Sequence, residues 1–137
     1  MEKNSEPQKA EVKFTFTKEE RLCSKKQFDQ LFAHGSSFLV YPLKINVLEI
    51  EFTSNFPVKA AFAVSKRSFK KAVQRNLLKR RMREAYRLNK HTLYATVSNR
   101  KLAVAFIYIG KQTESFGRIE KAMKKAIHTI SLTFSGT

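Results

Sequence analysis

Acidic side chains are scarce in this sequence: 11 Asp and Glu stand against 27 Lys and Arg, a formal net charge of +16 at pH 7. A compact chain with that surplus repels itself unless a polyanion neutralises it, so nucleic acid is the leading partner. Cysteine is nearly absent. The one cysteine, Cys23, cannot close an internal disulfide, which agrees with a reducing compartment. It is read either as a nucleophile or as an idle thiol flanking a helix. Long apolar runs are missing too. None approaches the roughly 20 residues of a membrane-spanning helix, and the N-terminus carries no signal-peptide pattern. The chain therefore reads as cytoplasmic, with no membrane partner. The clustered carboxylates or partnered histidine of a protein nuclease are also lacking. Glu49 and Glu51 share one strand face, while His34, His91 and His128 lie far apart. No catalytic residue, no protein-held cofactor and no metal ligand is assigned.

Hydrophobic residues make up 42% and aromatics 12% of the 137 positions, enough for one domain with a real core. Residues 1–16 are mixed in charge and poor in apolar groups, and are expected to form a flexible tail. Residues 17–134 are expected to form a single RNA-binding domain. "TKEE" at Thr17 has capping-box spacing. "SKKQ" at Ser24 repeats it, ahead of Phe28, Leu31 and Phe32 at helical spacing, with Gly35 as the stop, so a helix is expected over Lys25 to His34. "YPLKINVLEIEF" alternates Leu43, Ile45 and Val47, then shifts its apolar set to Leu48, Ile50 and Phe52. That change of phase predicts a bulge or bend near Val47. "VKAAFAVS" alternates Val58, Ala60, Phe62 and Val64 against a face lined by alanine, which admits a close neighbour. "KLAVAFIYIG" is a further strand, "NKHTLYATVSN" reads as polar connection, and "SFGRIEKAMKKAIHTI" is an amphipathic helix. The order of elements, α-β-β-(β)-α-β-α, predicts an α+β sandwich with a small, mainly antiparallel sheet and three helices.

The stretch "KKAVQRNLLKRRMREAYR", residues 70–87, is a helix without Gly or Pro. At 100° per residue Arg75, Asn76, Lys79, Arg80, Arg83 and Arg87 fall within an arc of roughly 140°. Val73, Leu77, Leu78, Met82, Ala85 and Leu88 occupy the other side, with Gln74, Arg81 and Glu84 intruding. A merely solvated face would carry acids at i,i+4, and Glu84 is rotated away from the arc. Like charges such as Arg75 with Lys79 cost about 0.2–0.5 kcal/mol each, which a bound polyanion reverses. Lys66, Arg67, Lys70 and Lys71 extend the patch toward the helix start, where backbone N–H groups also favour phosphate. Asn76 can read a base edge or a 2′-hydroxyl, hold a water or metal, or be an ordinary surface amide.

"RNLLKRRMR", Arg75 to Arg83, resembles the Arg-Asn-x-x-Lys-Arg-x-x-Arg signature of the bacterial ribonuclease P protein family, and "AVSKR" and "KKQFDQLFAHG" are similar to that family's strand end and first helix. The resemblance runs from about Arg21 to Ile130. It implies a ribosomal protein S5 domain-2-like sandwich, and a protein subunit that assists a catalytic RNA in removing the 5′ leader from precursor tRNA. Mg²⁺ would be held through that RNA, and the protein alone would be inactive. By position, Arg75, Asn76, Lys79, Arg80 and Arg83 would contact the ribonuclease P RNA, and Phe28 and Phe32 would belong to a cleft for the single-stranded leader. Spacing alone leaves those two rings open between core and stacking platform. Where many relatives carry a Gly before the Ala-Val of the basic helix, this chain presents Phe69 and Lys70. Near Asn46, where relatives often carry an aromatic, it has an amide.

The competing reading is a non-catalytic ribosomal or structural RNA-binding protein, which would need phosphate contacts but no groove for an unpaired strand. A DNA-binding helix would come with a helix-turn-helix or dimer element, and neither is visible, so no DNA partner is expected.

Overall fold

The computed structural model describes residues 16–97 and 100–134. A 3-10 turn, Lys18–Glu20, leads to helix α1 (Lys25–His34), strands β1 (Ser36–Val40), β2 (Leu43–Glu49) and β3 (Val58–Val64), helix α2 (Ala72–Val97), strand β4 (Leu102–Tyr108) and helix α3 (Phe116–Thr133). The sheet order is β1-β2-β4-β3. β1/β2 and β2/β4 are antiparallel, and β3/β4 is parallel because α2 carries the chain back between them. Most of the expected tail lies outside the described residues. Phe16, at its end, packs edge-on against Phe62 and Tyr86 at 5.6 and 5.8 Å.

Local signals explain where the elements begin. The Glu20 carboxylate accepts from the Thr17 backbone N–H at 2.8 Å, as a capping box should. The Ser24 hydroxyl accepts from the Gln27 N–H and opens α1. Gly35 ends α1 for a steric reason. Its φ is −75°, ordinary for any residue, but a Cβ would meet Leu31 O at 2.4 Å and Val47 O at 2.9 Å. The helix end is thus pressed directly onto β2.

Both faces of the sheet are covered, and this corrects the expected bulge. β2 pairs without interruption on both sides. Leu43, Ile45 and Val47 point into the main core beneath α2 and α3. Leu48 and Ile50 point the other way, beneath α1, with Leu22, Leu31, Ala103 and Ala105. The shift of apolar phase records a change in which face is buried, with the strand itself regular. Small residues at Ala61, Ala103 and Ala105 let α1 settle closely, and Leu31, fully buried, anchors it. Neither Phe28 nor Phe32 is that anchor.

The basic helix is longer than the sequence suggested. "NKHTLYATV" continues α2 to Val97, leaving 98 and 99 outside the described residues. Its apolar stripe runs through Leu78, Met82, Ala85, Tyr86, Leu93 and Val97, interrupted by Lys90. A buried lysine hides the helical period from a hydropathy reading, and here it is satisfied by Glu20. Tyr86 joins Phe62 and Phe106 in an aromatic cluster with centroids 5.5–5.6 Å apart. α3 buries Ile119, Ala122, Met123, Ala126, Ile127 and Ile130, the stripe read from its sequence.

Candidate nucleic-acid interface

The cationic arc of α2 exists, and its members differ in what they can offer. Asn76, Arg80 and Arg83 are exposed and Lys79 is half-buried. Among the described residues none of these four has a carboxylate partner. Arg75 is turned back on the chain: its Nη1 donates to the carbonyls of Phe69 and Lys70, both at 2.8 Å. Those bonds, with the Phe69 ring buried edge-on against Tyr108 at 5.8 Å, pin the loop that leads into α2. These contacts fix the loop with Phe69 and Lys70 in it. Lys66, Arg67, Lys70 and Lys71 all stand exposed on that pinned loop.

Arg87 is placed otherwise than the helical projection suggested. Glu84, expected to lie away from the arc, accepts from Arg87 Nε at 3.0 Å and from its Nη2 at 2.5 Å. Those hydrogen bonds hold the Glu84 carboxyl below its ordinary value, against a smaller opposing effect of burial. At 100° per residue an i,i+3 pair lies only about 60° apart on neighbouring turns, so Glu84 sits near enough to the edge of the arc to reach Arg87. Val73, read as packed, is 79% exposed, because burial along α2 begins only at Leu78. Arg81 donates to the Glu114 carbonyl and ties α2 to the loop before α3.

Phe28 and Phe32 stack on one another at 6.2 Å with planes 7° apart. Phe28 is half-buried, and Phe32 stands 53% exposed. Phe28 lines a cavity of about 410 Å³ at the β3 edge of the sheet, and Arg83 of the cationic arc lines the same cavity. Its wall is completed by Phe16, Arg21 and Leu22, where residues 20–22 run beside β3: Leu22 N–H donates to Ala60 O at 2.9 Å. Cys23, exposed, sits at the same wall. Sequence reasoning missed Arg21, whose guanidinium lies 5.8 Å from the Phe16 ring centre. Its only signal was a cation beside the first cap.

Other expected groups are not brought into this site. Asn46 is buried on the sheet face toward α1, and its Oδ1 has no hydrogen-bond partner among the described residues. His34, Glu49 and Glu51 line a separate groove between α1 and β2, where Glu49 also faces Arg100 at 3.7 Å. Among the described residues no cluster of three or more His, Cys, Asp or Glu could hold a metal ion, and no helix is long and apolar enough to cross a membrane.

A helix with a cationic face that meets an aromatic cavity at a sheet edge defines a class: a small basic α+β domain whose charge suits a polyanion. The comparisons narrow it. The family model described as Ribonuclease P matches residues 16–131. A ribonuclease P protein component from Porphyromonas gingivalis is 34% identical over 125 residues, covering 86% of this chain and 88% of that protein. One from Chlorobium phaeobacteroides is 39% identical over 85 residues, covering 56% and 58%. Among solved structures, the RNase P protein of Staphylococcus aureus superposes with a TM-score of 0.66 at 17% identity, over 85% of this chain and 98% of that one. The Thermotoga maritima protein gives 0.65 at 22% identity, over 81% and 97%. These two likenesses concern the fold. The chain belongs to the ribonuclease P protein family, the protein component of a ribonucleoprotein endoribonuclease of tRNA 5′ processing, and its partner is RNA.

Proposed function

We propose that this chain docks on its ribonuclease P RNA through Asn76, Lys79 and Arg80 and the exposed lysines before α2, and holds the single-stranded leader of precursor tRNA in the Phe28 cavity. One observation carries the reading: Phe28 of α1 and Arg83 of α2, 55 positions apart in sequence, line one cavity. A stacking ring and a guanidinium in one cavity suit a base and its phosphate. A scaffold protein that only neutralised phosphate would need no such cavity. Arg21, which lines the same cavity, gives the strand a second charge to follow.

In this reading the protein contributes binding and orientation, and the RNA, with its Mg²⁺, contributes the hydrolysis. The +16 surplus speeds encounter and lowers the repulsion between two RNA molecules that must meet. The setting is cytoplasmic. Reconstitution tests this. The protein is mixed with the catalytic RNA and precursor tRNA at low Mg²⁺, and leader release is expected that neither component gives alone. Release that is equally fast without the protein at every Mg²⁺ concentration would overturn it.

A further inference from the structure

A second groove, of about 420 Å³, lies at the opposite edge of the sheet from the Phe28 cavity, between the end of β1 and helix α3. Its floor carries two large side chains that folding has left in solvent: Leu39, 65% exposed, and Tyr41, 58% exposed. Its wall is a row of cations on α3, Arg118, Lys121 and Lys125. Their spacing of three and four residues puts them within about 60° of helix circumference and about 10 Å of length. Among the described residues no acidic side chain lines the groove.

A simply solvated helix face would supply acids to these cations. Around Lys121 the i±3 and i±4 positions are Gly117, Arg118, Lys124 and Lys125. Around Lys125 they are Lys121, Ala122, His128 and Thr129. Among the described residues only Arg118 of the three meets a carboxylate, that of half-buried Glu114, at 3.8 Å. Glu120 is turned the other way, accepting from Asn89 of α2 at 3.1 Å. Like charges in adjacent turns oppose one another in the isolated protein. An exposed aromatic ring beside a cationic row with a single, distant carboxylate is an arrangement that unpaired nucleotides can occupy, since every base has a face to stack and every link a phosphate.

We propose that this groove is a second RNA contact, taking an unpaired RNA segment with a base on the Tyr41 ring and phosphates on Arg118, Lys121 and Lys125. It shares no residue with the α2 arc or the Phe28 cavity, so it can engage at the same time as either. A polyanion held at both edges of the sheet is gripped from two sides, which adds avidity without a new element of fold.

The chain has no tryptophan, so Tyr41→Trp places a sole reporter in the groove. The probe is a 12-nucleotide oligouridylate, titrated at low salt into Tyr41→Trp combined with Arg80→Ala and Arg83→Ala, which weakens the other surface. Saturable quenching is expected. Adding Lys121→Ala and Lys125→Ala should weaken it about tenfold and make log K against log salt shallower by about 1.4, from about 0.7 per cation on a single strand. Unfolding midpoints in urea, unchanged by these surface substitutions, show that the loss is one of binding. Absent quenching, quenching indifferent to the two lysines, or quenching by phosphatidylserine vesicles but not by the oligonucleotide would each overturn the proposal. Leader release in reconstitution is a separate readout and does not depend on this groove.

Discussion

The Glu20 carboxylate, fully buried, accepts from the Lys90 ammonium across 70 residues of sequence. Tyr94 donates its hydroxyl to the same carboxylate at 2.6 Å, and Thr17 donates its backbone N–H at 2.8 Å. Every partner of this charge therefore comes either from the turn before α1 or from the far half of α2. The pair holds the segment that runs beside β3 and walls the Phe28 cavity. It also lets α2 continue where its hydrophobic stripe is broken.

Removing one partner should cost far more than the pair is worth. Lys90→Met leaves Glu20 buried with neutral donors only, the Thr17 N–H and hydroxyl and the Tyr94 hydroxyl, and a loss of about 3 kcal/mol is expected from the uncompensated charge. Urea unfolding of the two proteins at pH 7 measures it. A loss under about 1 kcal/mol would show that the pair does not hold the turn to α2.

Acid should act through the same group. Burial pushes the Glu20 pKa up, but the hydrogen bonds from Lys90, Thr17 and Tyr94, with the Lys90 charge, outweigh it and leave it below 4.5. A depressed folded-state value means stability that is complete above 4.5, the unfolded value, and is lost as pH falls through the folded one. As pH falls below 4.5 the wild type should therefore lose stability more steeply than Glu20→Gln, whose baseline is lower but flatter. Parallel curves for the two would remove Glu20 from the acid transition.

Gly35→Ala tests the close approach of α1 to β2. The new methyl would meet two backbone carbonyl oxygens, Leu31 O and Val47 O. Neither can swing aside, so a destabilisation of about 2 kcal/mol is expected. Thermal unfolding reads it, and an unchanged midpoint would mean that α1 can lift without cost.

Charge on α2 should be felt unequally. Arg80→Ala should weaken association with the catalytic RNA and lower the salt slope by about 0.9, the value for one phosphate on a duplex. Arg87→Ala should lower it less, because Glu84 already balances that guanidinium. A filter-binding titration across salt concentrations separates them, and equal slopes for both variants would contradict the ranking.

The rings of α1 should separate substrate from product. Phe28→Ala is expected to weaken binding of precursor tRNA by about 1–3 kcal/mol, the range for one stacked base, and to leave mature tRNA unaffected. Equal losses on both would take the leader out of the Phe28 cavity.

What the sequence by itself determined is what depends on near neighbours. Ser24 opens α1 because a cap acts within a turn, and Gly35 marks its end in the sequence although part of its steric reason, Val47 O, lies on β2. The stripe of α3 follows from a period of 3.6. The cationic arc follows from the same period, and the Arg-Asn-x-x-Lys-Arg-x-x-Arg pattern already pointed to the family. Tertiary structure decided the rest, because it depends on partners far away along the chain. Only packing on both faces of the sheet explains why β2 changes phase without a bulge. Only Glu20 makes a buried Lys90 compatible with helix, so residues 89–97 could not be read as helix without it. Only the folded chain brings Arg83 to Phe28 and Tyr41 to Lys121, since a cavity is a relation between elements and no local pattern encodes it.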